Sequence, residues 1–329
     1  MTAGHLTALR PEDVVTLYTA QDAEYYKTYQ NALMKKMTCQ DTATKKYLRP
    51  WKFEIVPGFF KQSEPETDAF KFDYIEEDFG LNKPSWTKLV EELQQLNLES
   101  KDNVSYKLLF LARHGQGWHN YAIVKYGQEA WDDKWSRMNG DGELVWGPDP
   151  FLTPLGIEQA EGNNSAWKQQ LAKGAPIPSA FYSSPFTRSI ETLIHTWDGV
   201  VDYTAMIKED VRETIGEHTC DKRSPKRVIQ ERFGNKGFVF EDGFEEEDIY
   251  YQDDYRETLC EQTLRINNFL NFLFEKDWQA DKKDVFVNVT SHSGTIRSFI
   301  MATGHRDFAI GTGGMIPVVI KATRRTDDL

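Results

Sequence analysis

The stretch Lys107-Leu108-Leu109-Phe110-Leu111-Ala112-Arg113-His114-Gly115 decides how the rest of the chain is read. An unbroken apolar run this short has no polar face, as expected of a strand covered on both sides in a parallel sheet. It ends abruptly on a cation, an imidazole and a glycine. Two further segments read as strands leading into helices, and the second of them repeats the histidine and glycine. Ala180 to Ser183 is followed by Pro185 and a helical pattern from Phe186 to Trp197. Val285 to Val289 is followed by Ser291-His292-Ser293-Gly294 and a helical pattern from Thr295 to Ala302. An amphipathic helix from Tyr255 to Phe274 and a last strand at Ile316 to Ile320 complete the alternation. Strands alternating with helices predict an α/β fold, a three-layer sandwich with a mostly parallel central sheet flanked by helices.

Upstream, residues 1–104 differ in texture and are read as an N-terminal extension packed on a catalytic domain of residues 105–329. A polar helix is expected over Gln21 to Met37, and alternation from Trp51 to Gln62 ends in a Pro-Gly turn. Ser63 to Glu77 reads as loop, and Ser85 caps a helix over Trp86 to Leu96. An inserted segment, residues 128–150, carries Trp131, Trp135, Trp146 and Asp149; with Phe59 to Gln62 it reads first as core and second as pocket wall. The acidic run Glu241 to Asp254 reads as a solvated loop, because it lacks the residue order of a calcium loop.

The 329 residues are 40% hydrophobic, enough for a large core, and carry a formal net charge of -12. That charge disfavours sequence-independent nucleic-acid binding, which needs a basic face. Three cysteines, Cys39, Cys220 and Cys260, predict reduced thiols and a cytoplasmic location, with the nucleus also accessible. Met1 to Tyr18 has no apolar signal-peptide core, and no apolar run is long enough to span a bilayer. No oligomeric state, metal or cofactor is read from the sequence.

In open α/β sheets ligands bind beyond the carboxyl ends of the strands. The first strand delivers Arg113 and His114 there, the second Ser183, Ser184 and then Arg188, the third His292 and Ser293. Two guanidiniums and two imidazoles at one edge repel each other unless an anion fills the space, and phosphate matches the arginine fork. Gly115 and Gly294 would let backbone N–H groups approach the same anion.

Arg113-His114-Gly115-Gln116-Gly117-Trp118-His119-Asn120 resembles the signature of the histidine phosphatase (phosphoglycerate mutase-like) superfamily. Ser183-Ser184-Pro185-Phe186-Thr187-Arg188 through Thr192 resembles that family's Ser-Pro-x-x-Arg block, and Ser291-His292-Ser293-Gly294 its second-histidine block, with Ser293 for the usual Gly. Leu152-Thr153-Pro154-Leu155-Gly156 is another recurrent element. Arg212-Glu213, Gly216, His218 and Cys220 to Arg223 resemble the phosphomutase-like subgroup of fungi and plants. The resemblance implies that His114 forms a phosphohistidine, with Arg113, Arg188 and His292 neutralising the phosphoryl group. It implies that Glu213 is the acid/base, with Glu217 and Asp221 as neighbouring alternatives. Gln116, Asn120 and Ser293 would complete the phosphate pocket.

Other chemistries fit less well. Cys220 is followed at the required spacing by Lys226, not Arg, so a cysteine phosphatase is excluded. His218 and Cys220 form a metal-like pair without a second pair. No nucleophile elbow or P-loop is present. The expected function is hydrolysis of a small phosphorylated metabolite, with a phosphomutase or a nonenzymatic phospho-ligand binder as alternatives. Gln116, where glycolytic mutases of the family carry Glu, favours the phosphatase.

Overall fold

The computed structural model describes residues 20–44, 46–280 and 283–325; Met1 to Tyr18, read above for targeting signals, lie outside them. Among the described residues, seven strands form one sheet in the order β1-β7-β2-β6-β3-β4-β5. They are β1 (Trp51–Ile55), β2 (Val104–Arg113), β3 (Ala180–Ser183), β4 (Ala205–Ile207), β5 (Phe238–Phe240), β6 (Phe286–Ser291) and β7 (Met315–Arg324). β2, β6, β3, β4 and β5 run parallel. β7 runs against both β2 and β1.

The helices are α1 (Ala20–Met37), α2 (Trp86–Glu99), α3 (Trp118–Tyr126), α4 (Gln128–Asp133), α5 (Pro154–Ala172), α6 (Thr187–Trp197), α7 (Lys226–Phe233), α8 (Leu259–Glu275) and α9 (Ser293–Thr303). β2 explains its own sequence. Leu109 and Leu111 pack on one face with Tyr29 of α1, Ile266 and Phe269 of α8 and Ile296 of α9. Leu108 and Phe110 pack on the other with Leu89 of α2, Trp167 of α5 and Ile190 of α6. Both faces are covered there, so the run Leu108 to Ala112 is apolar at every position. The α/β three-layer arrangement read from the sequence is the one observed. Within it, no described helix is long and apolar enough to cross a membrane.

Several boundaries differ from expectation, each for a local reason. The first strand stops at Ile55, because Pro57 has no N–H to donate and the chain then turns into a short 3-10 segment at Lys61–Ser63. The long helix begins at Leu259, not Tyr255. Thr258 accepts from the Glu261 N–H while the Glu261 carboxylate accepts from the Thr258 N–H, a reciprocal cap that sets the start. β4 and β5 were not foreseen; three residues each are too few to carry a periodic signal. The last strand is antiparallel because Gly313 donates to the His114 carbonyl and Gly314 accepts from the Arg113 N–H, so the chain enters β7 at the carboxyl edge of β2.

The described part of the first hundred residues belongs to the same layers. β1 closes the sheet beside β7, and fully buried Trp51 donates from its indole N–H to Glu275 of α8 at 2.7 Å. The segment Glu241 to Asp254 is irregular, as expected, but clamped. The buried Arg223 guanidinium donates to the carbonyls of Glu245, Glu246 and Glu247, and Arg212 grips Asp248 with two nitrogens at 2.8 and 2.6 Å.

Candidate active site

Strand register brings the reactive residues level. Arg113 of β2 pairs with Ser291 of β6, and Ser183 of β3 with Thr290 of β6. The next backbone N–H groups continue the ladder, from His114 to the Ser291 carbonyl at 2.9 Å and from Ser184 to the Thr290 carbonyl at 3.0 Å. His114, Ser184 and His292 therefore leave three adjacent parallel strands at one edge. Glu213 arrives there after β4, through a 3-10 turn at Glu209–Val211.

A cavity of about 310 Å³ opens at this edge, lined by Arg113, His114, Asn120, Glu213, Asp221 and Ser293 among others. The His114 Nδ1 lies 2.7 Å from the Gly115 carbonyl oxygen. A carbonyl can only accept, so Nδ1 carries the proton and Nε2 keeps its lone pair. Arg188 Nε, always a donor, points at that Nε2 from 3.3 Å. The other Arg188 nitrogens donate to the Cys220 carbonyl at 2.8 Å and to Asp221 Oδ1 at 3.2 Å, which fixes the guanidinium plane. Burial, then the charges of Arg188 and Arg113, hold the His114 pKa well below the usual imidazole value. Its ring is neutral at neutral pH.

The His292 ring centroid stands 5.0 Å from that of His114. Its Nε2 meets Ser184 Oγ at 2.7 Å and Ser189 Oγ at 3.3 Å, while Nδ1 has no hydrogen-bond partner among the described residues. Burial first, then Arg188 and the other imidazoles, keep it neutral as well. Arg113 is nearly buried and donates to the Ile310 carbonyl at 2.8 Å.

The carboxylates divide by environment. Burial, then the charge of Asp221, pushes Glu213 above the usual carboxyl range. Burial acts on Asp221 in the same direction, but Arg256, Arg188 and His218 outweigh it and leave its pKa lowered. Arg256 Nη1 donates to Asp221 Oδ2 at 2.8 Å. Glu217, the third candidate acid, turns away to Arg137 at 3.3 Å. Glu213 is held by its backbone: Arg265 of α8 donates to the carbonyls of Asp210, Arg212 and Glu213 while paired with Glu257 at 2.6 Å.

Not every expected contact is made. Gln116 does not line the cavity; its side-chain carbonyl accepts from Thr153 Oγ at 2.8 Å. The Gly115 N–H goes to Thr192 Oγ at 2.9 Å rather than into the cavity, and a Cβ there would stand 2.3 Å from the Gly156 carbonyl. At Gly294 a Cβ would come within 2.5 Å of Glu213 Oε1, so this glycine makes room for the acid. Asn120 lines the cavity, with its carbonyl oxygen accepting from the Gly117 N–H at 2.9 Å. Phe59 and Phe60 are core, whereas Trp131 reaches the cavity wall beside His218.

Cavity residues given no site role from sequence include His119 and Arg256, whereas His218 was read there as half of a metal-like pair with Cys220. His119 sits inside the quoted Arg113-to-Asn120 stretch and was legible there; Arg256 has no local signal. His218, Cys220 and Asp221 bring ligand atoms within 4.8 Å of one another. Two guanidiniums already pair with Asp221, and burial drives the Cys220 thiol well above its ordinary value, so the trio suits an ion-pair network better than a dication.

Comparison with known proteins agrees with this geometry. The family profile described as "Histidine phosphatase superfamily (branch 1)" matches residues 109–311. A protein of Arthroderma benhamiae named "Probable phosphoglycerate mutase" is 35% identical over 295 residues, covering 84% of this chain and 86% of that protein. "Probable phosphoglycerate mutase PMU1" of Saccharomyces cerevisiae is 34% identical over 299 residues, covering 83% and 97%. "Phosphomutase-like protein 3" of Candida albicans is 34% identical over 270 residues, covering 82% and 80%. The chain belongs to the histidine phosphatase superfamily.

Proposed function

We propose that the protein hydrolyses a small phosphorylated metabolite through a phosphohistidine on His114. The observation that carries this reading is the oriented His114 ring, with Nδ1 against a carbonyl and the Nε2 lone pair beside Arg188. Nε2 attacks phosphorus as the bond to the leaving oxygen breaks, and Glu213, whose pKa burial raises and so favours the protonated form, gives that oxygen its proton. Arg113, Arg188 and the His292 Nδ1–H neutralise the phosphoryl oxygens as charge builds on them. Water then attacks phosphorus and loses its proton to the Glu213 carboxylate. The P–N bond breaks and releases inorganic phosphate with His114 neutral again. Glu213 is preferred to Asp221 because Asp221 is held ionised by two arginines and has no proton to donate. Asn120 and Ser293 complete the phosphate pocket.

A second reading, a phosphomutase, draws on the names of the fungal relatives. It shares the phosphohistidine and differs only in returning the phosphoryl group to substrate instead of water. Incubation of wild type and His114→Asn with an aryl phosphate tests the chemistry. The wild type is expected to release phosphate and to carry an acid-labile, base-stable phosphoryl group, and the variant to lose at least about 1,000-fold in turnover. Unchanged turnover in the variant would sink the mechanism. A coupled assay with phosphoglycerate separates the two readings: isomerisation without phosphate release would favour the mutase. A cytoplasmic location, with access to the nucleus, belongs to the proposal and draws on unpaired Cys39, Cys220 and Cys260.

A further inference from the structure

His119 is the one imidazole lining the cavity close to His114 to which no role has yet been given. Its side chain belongs to α3, one residue before Asn120, and the residue is 7% exposed. Its ring centroid is 5.5 Å from that of His114, close to the 5.0 Å of His292 on the same nucleophile. Like His292, it has an Nδ1 without a hydrogen-bond partner among the described residues. That nitrogen lies beside Gly117 and near Arg188. A Cβ built on Gly117 would lie 2.8 Å from His119 Nδ1 and 3.4 Å from Arg188 Cδ, so the two side chains border one small space that only glycine leaves open. Arg188 reaches from that space to His114 Nε2.

A buried polar nitrogen without a partner is destabilising, and α3 could hold an apolar ring in the same place without that cost. The unmet donor is explained if a ligand oxygen meets it. Burial, followed by Arg188 and His114, keeps the ring neutral, so it can offer one N–H without adding to the cationic crowding there.

We propose that His119 is a third imidazole of the phosphoryl site, donating its Nδ1–H to a nonbridging oxygen of the bound phosphoryl group. This deepens the phosphatase reading above and rests on it for its catalytic consequence, though not for its binding consequence. His114 would then be flanked by two donors, His292 and His119, in addition to the arginines. Both would strengthen as charge accumulates on the transferring oxygens.

The test uses two substitutions and a binding measurement. His119→Phe keeps a ring and removes the donor; His119→Gln restores an N–H at similar reach. With an aryl phosphate, His119→Phe is expected to lose about 10- to 100-fold in kcat/KM, mostly in kcat, and to be inhibited by inorganic phosphate at least about 10-fold more weakly; His119→Gln should recover part of both. Wild-type kcat/KM and phosphate inhibition in a folded His119→Phe would overturn the proposal. Should the Phe variant fail to fold, nitrogen NMR of the labelled wild type decides. Inorganic phosphate should shift the His119 Nδ1 resonance together with those of His114 and His292, and a His119 signal that stays put while theirs move would overturn it. The phosphate titration needs no turnover. A wild type inactive on every phosphomonoester, with the His119 signal still responding to phosphate, would refute the enzymatic reading and leave the binding role standing.

Discussion

At the residue scale the site works by giving chemically similar groups different surroundings. His114, His119 and His292 are all neutral for the same leading reason, burial, reinforced by Arg188. What separates them is hydrogen bonding. Only His114 has its Nδ1 proton anchored on a carbonyl, which leaves Nε2 as the nucleophile. Glu213 and Asp221 separate in the opposite way, one raised and one lowered, because the arginines face Asp221 more directly. These shifts predict a bell-shaped profile. The step that needs a protonated Glu213 is available below its raised pKa and fades as pH rises through it. The step that needs a neutral His114 is available above its lowered pKa and fades only as pH falls well under the ordinary imidazole value. Glu213→Gln should slow an alkyl phosphate by about 100- to 10,000-fold and flatten the alkaline limb. On an aryl phosphate, whose leaving group needs little help, the same variant should show one burst of phenol and then stall as phosphohistidine. Steady turnover at the wild-type rate would remove Glu213 from the mechanism and return attention to Asp221.

At the element scale, the segment Glu241 to Asp254 shows how an acidic run can be structural. Its exposed carboxylates face solvent, as the charge pattern suggests, but its backbone is the ligand of buried cations. Arg223 pairs with Glu209 at 2.5 Å and donates to the carbonyls of Glu245 and Glu247 at 2.8 and 3.0 Å. Arg212, next to the candidate acid, is tied by Asp248 and donates to the Asp221 carbonyl at 3.1 Å. The strap and the acid-bearing turn therefore share one ion-pair network. Arg223→Ala leaves Glu209 buried without that partner and should cost about 3–5 kcal/mol. Hydrogen exchange should quicken first at the amides of 244–250, ahead of the sheet. Uniform protection across the strap in a folded variant would mean that the clamp is incidental. Neither arginine's part in the clamp was legible in sequence: Arg223 holds backbone carbonyls, which every residue has, and the Asp248 carboxylate that ties Arg212 comes from a distant segment.

At the scale of the whole molecule, β1 and α1 join the described part of the first hundred residues to the sheet and its cover. β1 pairs along its length with β7, from Trp51 opposite Arg324 to Ile55 opposite Ile320. Tyr29 of α1 and Trp51 are fully buried against α8 and the strands. A chain beginning at Lys101 would bare the edge of β7 and the apolar faces beneath α1 and α2. It is expected to be insoluble or to aggregate, because a long apolar edge strand invites pairing with other chains. Sedimentation after expression checks this. A soluble shortened chain with wild-type turnover would show that the catalytic half stands alone.

The sequence by itself determined what is local: the doubly covered β2, the strand-histidine-glycine layout at two strand ends, the cap at Ser85 and the arginine after Pro185. Those features depend on neighbours a few residues away, and periodicity and residue chemistry report them directly. Only the tertiary structure decided what depends on meeting across the chain. Register set Arg113 level with Ser291, Gln116 was turned to Thr153 and out of the pocket, and Arg256 was brought to Asp221 from a segment with no motif of its own. The tautomer of His114 lies between the two. Its carbonyl partner is the very next residue, yet the burial that holds the ring against it comes from the whole fold.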